Sequence, residues 1–393
     1  MTAFELPLRP ELRGQQPYGA PQLDVPVQLN VNENPYPPSA AVVAAIEAAV
    51  AETATGLNRY PDRECLALRE DLARYLATDA PVRLTAYQLW PANGSNEIMQ
   101  QLLQAFGGPG RTALSFAPTY SMYPEYARNT HTDWVTGPRT AEFDIDLPAA
   151  AELIARARPS VIVLASPNNP TGTALPQSDL RALLKLAPGL VVVDEAYAEF
   201  RRAGVPSALE LLADHPQLVV TRTMSKAFAF AGGRLGYLAA SAAVVDAVRL
   251  VRLPYHLSAL SQASARAALA HSAGLLGSVE ALRAERDATV EWLRTIGLQV
   301  ADSDANFVLF GRFADRHAIW QQLLDRGVLI RETGPDGWLR VSVGTSAEMQ
   351  AFRQALQEVL AVSAASGRFR HEWAATTAHS SHNYPLAKGD YQG

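Results

Sequence analysis

The chain of 393 residues exceeds the size at which one hydrophobic core stops growing, so a large domain and a smaller one are expected. Hydrophobic residues make up 48% and charged residues 19%, which is typical of a globular protein. The net charge of −5 argues against a nucleic-acid partner and an anionic membrane surface, and the single cysteine, Cys65, excludes an internal disulfide and favours a cytoplasmic location. The N-terminal residues lack the apolar core of a secretory signal, and no run approaches the roughly 20 apolar residues of a membrane span.

Short apolar runs rich in β-branched residues recur through the middle of the chain and predict buried strands. In chain order they cover residues 111–117, 161–166, 190–197, 218–223 and 235–241. Helix-like segments lie between them, among them residues 97–106 and 177–186. Apolar strands that alternate with helices predict an α/β fold with a mainly parallel sheet, and ligands of such sheets bind beyond the carboxyl ends of the strands.

The two ends of the chain flank this central part. The predicted division is an N-terminal segment with part of a small domain at 1–84, a large domain at 85–254, the C-terminal small domain at 255–366 and a mobile tail at 367–393. A long helical pattern spans residues 271–296, whereas the tail loses apolar periodicity. His379 and His382 in the tail lack the further ligands that a metal site needs, so no metal site is predicted.

The first polar motif is ANGSNE, in which Gly94, Ser95 and Asn96 directly precede a helix-like segment. Free backbone N–H groups and the helix dipole make such a helix start a site for an anion such as phosphate. An ordinary helix N-cap explains the same residues without a ligand. Further along, Tyr120 in FAPTYSMY follows a predicted strand and offers a flat face for stacking on an aromatic ring, although core packing explains it as well.

The next two motifs follow further strands. SPNNPTG, at 166–172, is a turn sequence, and it also directs the amide of Asn169 toward a ligand at the carboxyl edge of the sheet. Asp194 ends the apolar run of LVVVDEAY, where it either caps a helix or is a buried carboxylate that requires a cationic partner. Tyr197, three residues on, is either a core aromatic or a hydroxyl that contacts the same ligand.

Lys226, in TRTMSKAFAFAGGRLGY, is the strongest indication of chemistry. A lysine where a buried strand breaks into a glycine-rich loop is unusual, although most lysines are simply solvated. Ser225 and Arg234 flank it with a hydroxyl and a guanidinium, a pair that suits a phosphate. A strand-end lysine together with Asp194 fits pyridoxal phosphate (PLP), whose ring nitrogen an aspartate keeps protonated.

In this order, GSNE, PTY, SPNNPTG, DEAY and TMSKAFAFAGGRLGY resemble the class I and II aminotransferases of PLP fold type I, and within them the histidinol-phosphate aminotransferases. LNVNENPYPPS, NRYPD, LPYHLS, SDANFVLF and WLRVSVG are also similar, so the resemblance covers nearly the whole chain except its tail. It implies a large domain with a mainly parallel sheet between helices, which binds PLP, and a smaller α+β domain made from both chain ends. It also implies a cytoplasmic enzyme of histidine biosynthesis.

The resemblance implies a role for each motif residue. Lys226 holds PLP covalently, and Asp194 pairs with the pyridinium nitrogen. Asn169 and Tyr197 contact the phenolic oxygen, and Tyr120 stacks on the ring. The residues that hold the phosphate are Gly94, Ser95, Asn96, Thr223, Ser225 and Arg234. Tyr60, in NRYPD, resembles the tyrosine that reaches the cofactor phosphate of the neighbouring subunit, which implies a homodimer.

On the substrate side, the resemblance implies that Arg340, with Arg331 near it, binds an anionic group of the substrate. The alternative is that both are exposed arginines in salt bridges. Tyr18, Asn32 and Asn169 complete the implied substrate contacts. The implied reaction passes the amino group of glutamate to imidazole-acetol phosphate and yields 2-oxoglutarate and histidinol phosphate. Lys226 would move the proton as a neutral amine, which requires a lowered pKa.

Three alternatives stay open at this point. An aromatic amino-acid (phenylalanine) aminotransferase shares nearly every cofactor residue. A PLP decarboxylase akin to threonine-phosphate decarboxylase differs in reaction class. A noncatalytic PLP-binding regulator would need a DNA-binding module, and neither a basic helix-turn-helix segment nor a positive net charge supports one.

Overall fold

The computed structural model describes residues 6–365 of the chain. Its β-strands, in chain order, are β1 Val27–Gln28, β2 Leu89–Ala92, β3 Thr112–Ala117, β4 Asp133–Pro138, β5 Val161–Ala165, β6 Leu190–Asp194, β7 Leu218–Thr223, β8 Gly236–Ala240, β9 Gln299–Val300, β10 Phe307–Gly311, β11 Val328–Leu329, β12 Arg331–Glu332 and β13 Trp338–Ser342. Its α-helices are α1 Ala40–Ala54, α2 Leu66–Asp79, α3 Ser95–Phe106, α4 Tyr123–Asn129, α5 Leu147–Ala157, α6 Gln177–Leu186, α7 Ala242–Val251, α8 Ala259–Ala270, α9 Ser272–Leu275, α10 Gly277–Thr295, α11 Arg316–Leu324 and α12 Ser346–Ala365. Short 3-10 helices lie at Pro10–Leu12, Ala86–Gln88, Ala198–Phe200 and Ala208–Leu211. The predicted mobile tail at 367–393 falls outside the described residues.

A seven-stranded sheet, in the order β2-β8-β7-β6-β5-β3-β4, forms the centre of the larger unit. Strands β3 to β7 run parallel, and β8 is antiparallel to both of its neighbours. The predicted α/β fold with a mainly parallel sheet is therefore confirmed. The sequence patterns found β3, β5, β6, β7 and β8 but missed β2 and β4, whose sequences LWPA and DWVTGP contain proline and lack a long apolar run.

Helices cover both faces of this sheet, and alternate side chains of its strands fill two separate cores. Val192 of β6 packs in one core with Leu102 of α3 and Val248 of α7. Its neighbours Val191 and Val193 point into the other core, to which α5 and α6 contribute. That second core also contains side chains of α1, α2, α8 and α10, so the N-terminal helices lie against the larger sheet. The predicted domain boundaries after residues 84, 254 and 366 stay predictions.

A smaller unit is built around the antiparallel sheet β12-β13-β10-β9. Its core includes Phe310 of β10, Val341 of β13 and Phe352 of α12. Strand β1 pairs in parallel with β11, so a segment from near the start of the chain joins this C-terminal unit. The helical pattern predicted over 271–296 is divided between α9 and α10, where Gly274 and Gly277 lower the helix propensity.

The carboxyl ends of β3, β5, β6 and β7 meet at one edge of the larger sheet, and the smaller unit lies against that edge. The backbone N–H of Asp304, just before β10, donates to the carbonyl of Gly172 in the loop after β5, at 2.8 Å. Within residues 6–365, no helix is long and apolar enough to cross a membrane. The same residues contain no group of three or more histidine, cysteine, aspartate or glutamate side chains arranged to hold a metal ion.

Candidate active site

Four predicted site residues lie at the carboxyl ends of strands in the larger sheet. Tyr120 follows β3, Asn169 follows β5, Asp194 is the last residue of β6 and Lys226 follows β7. Asp194 is in register with Thr221 of β7, two residues before that strand ends. Parallel strands present these ends on one edge, so the fold brings the four side chains to the place where such sheets bind ligands.

Asp194 is a buried carboxylate whose hydrogen-bond donors are uncharged. It is 6% exposed, and its Oδ2 accepts from the Tyr123 hydroxyl at 2.9 Å. Its Oδ1 accepts from Thr221 Oγ1, also at 2.9 Å. Burial raises the pKa of Asp194, and the hydrogen bonds from Tyr123 and Thr221 oppose that rise. Within the described chain no cationic side chain forms an ion pair with it, so the carboxylate is left to pair with a cationic ligand.

Lys226 is the amine of the site. Its Nζ donates to the carbonyl of Val31 at 2.9 Å. Burial, and then the positive charges of Arg340 and Arg234, lower the pKa of Lys226 from 10.5 to about 8. The carboxylate of Glu33 acts in the opposite direction. At neutral pH this lysine therefore has far more of the neutral, nucleophilic form than an exposed lysine has.

A group of small and polar residues lies where α3 begins, and we name it the α3 cluster. Its members are Gly94, Ser95, Asn96, Thr223, Ser225 and Arg234. Arg234 Nη1 donates to Ser225 Oγ at 3.2 Å, and a Cβ atom at Gly94 would lie 2.5 Å from Arg234 Nη2. Gly94 also has a φ of +86°, so its backbone conformation favours glycine there. The first backbone N–H groups of α3 thus meet a guanidinium and hydroxyls, an arrangement suited to an anion.

Tyr197 is held from the side of the smaller unit. Its hydroxyl accepts from Asn32 Nδ2 at 3.1 Å, while Ser342 Oγ donates to Asn32 Oδ1 at 2.9 Å. Both ends of the Asn32 amide therefore bind protein atoms. Because Tyr197 accepts from Asn32, its own hydroxyl proton stays available for donation into the site.

Arg340 is a buried cation without an acidic partner in the described part of the chain. Its Nη1 donates to Asn169 Oδ1 at 2.5 Å, and its Nη2 donates to the carbonyl of Asn30 at 2.8 Å. Its Nε has no hydrogen-bond partner among the described residues. Burial lowers the pKa of Arg340 to about 10, and the charge of Arg331, its cross-strand neighbour, adds to this effect. A buried guanidinium held by neutral oxygens is well suited to bind an anion.

Comparison with known proteins decides the family. Residues 25–356 match the family model described as aminotransferase class I and II. The chain belongs to this family. The resemblance that the motifs predicted is thereby confirmed, and the α/β fold is that of an aminotransferase.

Individual relatives and solved structures agree with this assignment. Histidinol-phosphate aminotransferase 3 of Burkholderia lata is 63% identical over 358 residues, which cover 91% of this chain and 97% of the relative. The histidinol-phosphate aminotransferase of Thermobifida fusca is 64% identical over 352 residues, 90% of this chain and 95% of that protein. The crystal structure of histidinol-phosphate aminotransferase from Sinorhizobium meliloti in complex with pyridoxal-5'-phosphate has a TM-score of 0.81 at 25% identity, with 92% of this chain and 100% of that chain covered.

Two residues predicted for the site of this aminotransferase lie at its margin or away from it. The Tyr60 side chain is 80% exposed, and its ring stacks on that of Tyr255 with the centroids 4.4 Å apart. Tyr18 is 49% exposed, and its hydroxyl accepts from Ser121 Oγ at 3.2 Å, next to Tyr120. Within one chain, therefore, Tyr18 borders the site and Tyr60 does not join it.

Reasoning from the sequence missed several side chains that hold this site in place, namely Tyr123, Asn168, Thr221 and Ser342. Asn168 donates to the carbonyl of Pro118 at 3.0 Å and accepts from Thr119 Oγ1 at 3.0 Å, so it joins the loop of Asn169 to the loop of Tyr120. Asn168 and Tyr123 lie inside or beside motifs that were recognised. Their partners, however, are distant in sequence, and no local pattern predicts those contacts.

Proposed function

We propose that this aminotransferase uses PLP to interconvert glutamate and imidazole-acetol phosphate with 2-oxoglutarate and histidinol phosphate. The relatives at 63% and 64% identity bear the name of that enzyme. In the chain itself one observation carries the proposal. A buried carboxylate, Asp194, and a partly buried amine, Lys226, lie at the ends of adjacent strands, and neither has an ion-pair partner among the described residues.

The residues of the site fit PLP. When bound, PLP supplies an aldehyde that captures amino groups and a pyridinium ring that draws electrons from the substrate carbon. Lys226 holds the cofactor through Nζ, Asp194 pairs with the ring nitrogen, and Tyr120 stacks on the ring. Asn169 and Tyr197 contact the phenolic oxygen. The α3 cluster binds the phosphate, with Gly94, Ser95, Asn96, Thr223, Ser225 and Arg234 as its members.

Lys226 also moves the proton that transamination requires. Its pKa of about 8, lowered first by burial, leaves a useful fraction of neutral amine near neutral pH. The neutral Nζ accepts a proton from the substrate carbon, and the protonated Nζ returns it to a neighbouring carbon. Arg340 and Arg234 favour this return because their charges disfavour a lasting ammonium.

Arg340 and Arg331 form the substrate end of the site. They bind the phosphate of histidinol phosphate in one half-reaction and a carboxylate of glutamate in the other, since a guanidinium suits both anions. Asn169 holds Arg340 in place through its amide oxygen. Tyr18 borders the pocket on the substrate side, and Asn32 contributes through its hydrogen bond to Tyr197.

The proposed enzyme is a cytoplasmic homodimer in which Tyr60 reaches the phosphate site of the neighbouring subunit. The supporting observation is that the Tyr60 ring, 80% exposed, stacks on Tyr255, itself 39% exposed, so two aromatic rings lie together at the surface of one chain. Mixing Tyr60→Ala chains with Lys226→Ala chains tests the arrangement. If Tyr60 acts across the interface, hybrid dimers regain one complete site and activity returns. Absence of any regained activity in verified hybrids contradicts it.

Substrate preference is the direct test of the reaction. Initial rates of the purified holoenzyme are measured with histidinol phosphate and with phenylalanine at equal concentrations, both with 2-oxoglutarate. We expect a large preference for histidinol phosphate, because Arg340 and Arg331 offer two cations to its phosphate. A large preference for phenylalanine would assign the chain to the aromatic aminotransferases instead. Release of carbon dioxide from threonine phosphate would indicate a decarboxylase.

A further inference from the structure

We propose that Tyr123 is a positioning residue that keeps Asp194 ionised and aimed at the ring nitrogen of the cofactor. This inference rests on the proposed PLP site and deepens it, because it assigns the charge state of Asp194 to a residue to which the sequence motifs gave no role. A hydrogen bond within the protein would thereby affect binding at one atom of the cofactor, the ring nitrogen.

Tyr123 is a buried residue in direct contact with Asp194. It is the first residue of α4, its side chain is 1% exposed, and its hydroxyl donates to Asp194 Oδ2 at 2.9 Å. The hydroxyl of Thr221 donates to the other carboxylate oxygen, Oδ1, at 2.9 Å. With one hydroxyl donor on each oxygen, the carboxylate plane of Asp194 is fixed.

Tyr123 also contacts the residue proposed to stack on the ring. Its side chain packs edge-on against Tyr120, with the ring centroids 5.5 Å apart and the planes at 89°. One buried side chain therefore supports both the carboxylate that faces the ring nitrogen and the aromatic face that covers the ring. A substitution at Tyr123 should therefore alter cofactor binding, although Tyr123 itself does not contact the cofactor.

The electrostatic effect follows from burial. A buried carboxylate with no cation beside it tends to become protonated, and a hydroxyl donor stabilises its charged form. Burial also raises the pKa of Tyr123 far above its ordinary value, so this hydroxyl remains a donor at every physiological pH. Without it, Asp194 holds a proton more readily and attracts a pyridinium less strongly.

Tyr126 provides a matched control on the same helix. It lies one turn after Tyr123, is 5% exposed, and its hydroxyl has no hydrogen-bond partner in the described chain. Tyr126→Phe removes a buried hydroxyl without breaking a hydrogen bond, whereas Tyr123→Phe removes one that serves Asp194. The two variants separate the loss of this bond from the general effect of removing a hydroxyl.

The experiment compares two cofactors on the full-length chain, freed of cofactor and then reloaded. One is PLP, and the other is 1-deazapyridoxal phosphate, in which a C–H group replaces the ring nitrogen. We expect Tyr123→Phe to raise the dissociation constant of PLP about 5- to 20-fold, which is less than the full effect of a hydrogen bond to a charged group because the cofactor-free protein loses this bond as well. The dissociation constant of the deaza cofactor should change by less than about twofold, and Tyr126→Phe should change neither by more than that.

If Tyr123→Phe weakens the binding of both cofactors equally, Tyr123 has only a structural role and the proposal is overturned. The proposal is also overturned if the variant binds both cofactors as tightly as the unchanged protein. The unfolding midpoint of the cofactor-free variant checks that it folds. If phenylalanine at this position prevents folding, 3-fluorotyrosine at position 123 replaces it. That residue is a stronger donor, so it should increase the preference for PLP over the deaza cofactor, and an unchanged preference would refute the inference.

Asp194→Asn separates this inference from the function on which it rests. If Asp194 faces the ring nitrogen, this variant loses the preference for PLP over the deaza cofactor. A preserved preference would overturn the proposed placement of the cofactor. A lost preference in Asp194→Asn, combined with a preserved one in Tyr123→Phe, would overturn the role of Tyr123 alone.

Discussion

Asp194 and Glu195 are consecutive buried carboxylates in opposite environments. Asp194 receives hydrogen bonds from uncharged donors only. Glu195, 2% exposed, accepts from Arg222 Nε at 2.9 Å and from Arg222 Nη2 at 2.7 Å. Ser207 also donates to Glu195, at 2.7 Å.

The difference follows from the alternation of side chains along β6 and β7. Asp194 and its register partner Thr221 face the candidate site, whereas Glu195 and Arg222 point to the other side of the sheet. There they join a buried group that we name the Arg222 cluster, made of Asp79, Glu195, Glu199, Arg201 and Arg222. The charge of Glu195 is thus neutralised by Arg222, whereas the adjacent Asp194 has no cationic partner among the described residues.

Removing the amine of Lys226 should have the largest effect. We expect Lys226→Ala to lower the rate of transamination by about 10²- to 10⁴-fold or more, because the variant loses both the cofactor linkage and the proton carrier. The measurements are 2-oxoglutarate turnover and the visible absorption of the Schiff base. Lys185→Ala, at an exposed position of α6, is the control and should change neither. A Lys226→Ala protein with both the absorption band and normal turnover would refute the assignment.

Removing the ion pair between Glu195 and Arg222 should lower the folding stability. Glu195→Ala removes the acidic partner of two nitrogens, Nε and Nη2, of the fully buried guanidinium of Arg222, so we expect the free energy of unfolding to fall by about 3–5 kcal/mol. Urea denaturation of the cofactor-free protein measures this change. Asp194→Asn in the same assay should change stability by less than about 1 kcal/mol, since relief from burying an unpaired charge offsets the weaker hydrogen bonds with Tyr123 and Thr221. Similar losses in the two variants would mean that the two carboxylates do not differ in role.

The lowered pKa of Lys226 should determine how cofactor uptake depends on pH. Its pKa lies at about 8 in the folded chain against an ordinary 10.5, so the amine is neutral above about pH 8 and becomes protonated as the pH falls through that value. The rate at which cofactor-free protein takes up PLP covalently should therefore rise with pH and level off above a midpoint near 8. Stopped-flow absorbance over pH 6–11 gives the midpoint, and a value near that of free lysine would contradict the lowered pKa.

The smallest expected effect concerns Ser207. Its hydroxyl donates to Glu195 and accepts from Arg222 Nη2 at 3.0 Å. Because the ion pair itself survives, Ser207→Ala should cost about 1–2 kcal/mol of unfolding free energy and leave the affinity for PLP unchanged. Loss of cofactor affinity in this variant would show that the two sides of the sheet are coupled.

The sequence predicted the parts of this fold that depend on local pattern. Runs such as VIVLA and LVVVD are long, β-branched and buried on both faces, so they identify β5 and β6 without further information. Strand β4 was missed because it is an edge strand that contains glycine and proline. Such a strand forms by pairing with its neighbour, and its own sequence has little strand pattern.

For the site, the strand-end positions of Asp194 and Lys226 followed from the sequence, because polar residues that end apolar strands stand out. Tyr123 and Arg222 did not follow. Tyr123 meets Asp194 across 71 positions of the chain, and Arg222 meets Asp79 across 143. Such contacts depend on tertiary packing, and no periodicity in the sequence encodes them.

The pairing of β1 with β11 has a practical consequence for handling this protein. The stretch from Val27 to Asn32 is at once a strand partner of the C-terminal unit, the acceptor for Lys226 Nζ through Val31, and the anchor of Tyr197 through Asn32. An affinity tag fused ahead of this stretch leaves all three contacts in place. Trimming the chain past Val27 would instead free an edge of the C-terminal unit and loosen the reactive amine together with it.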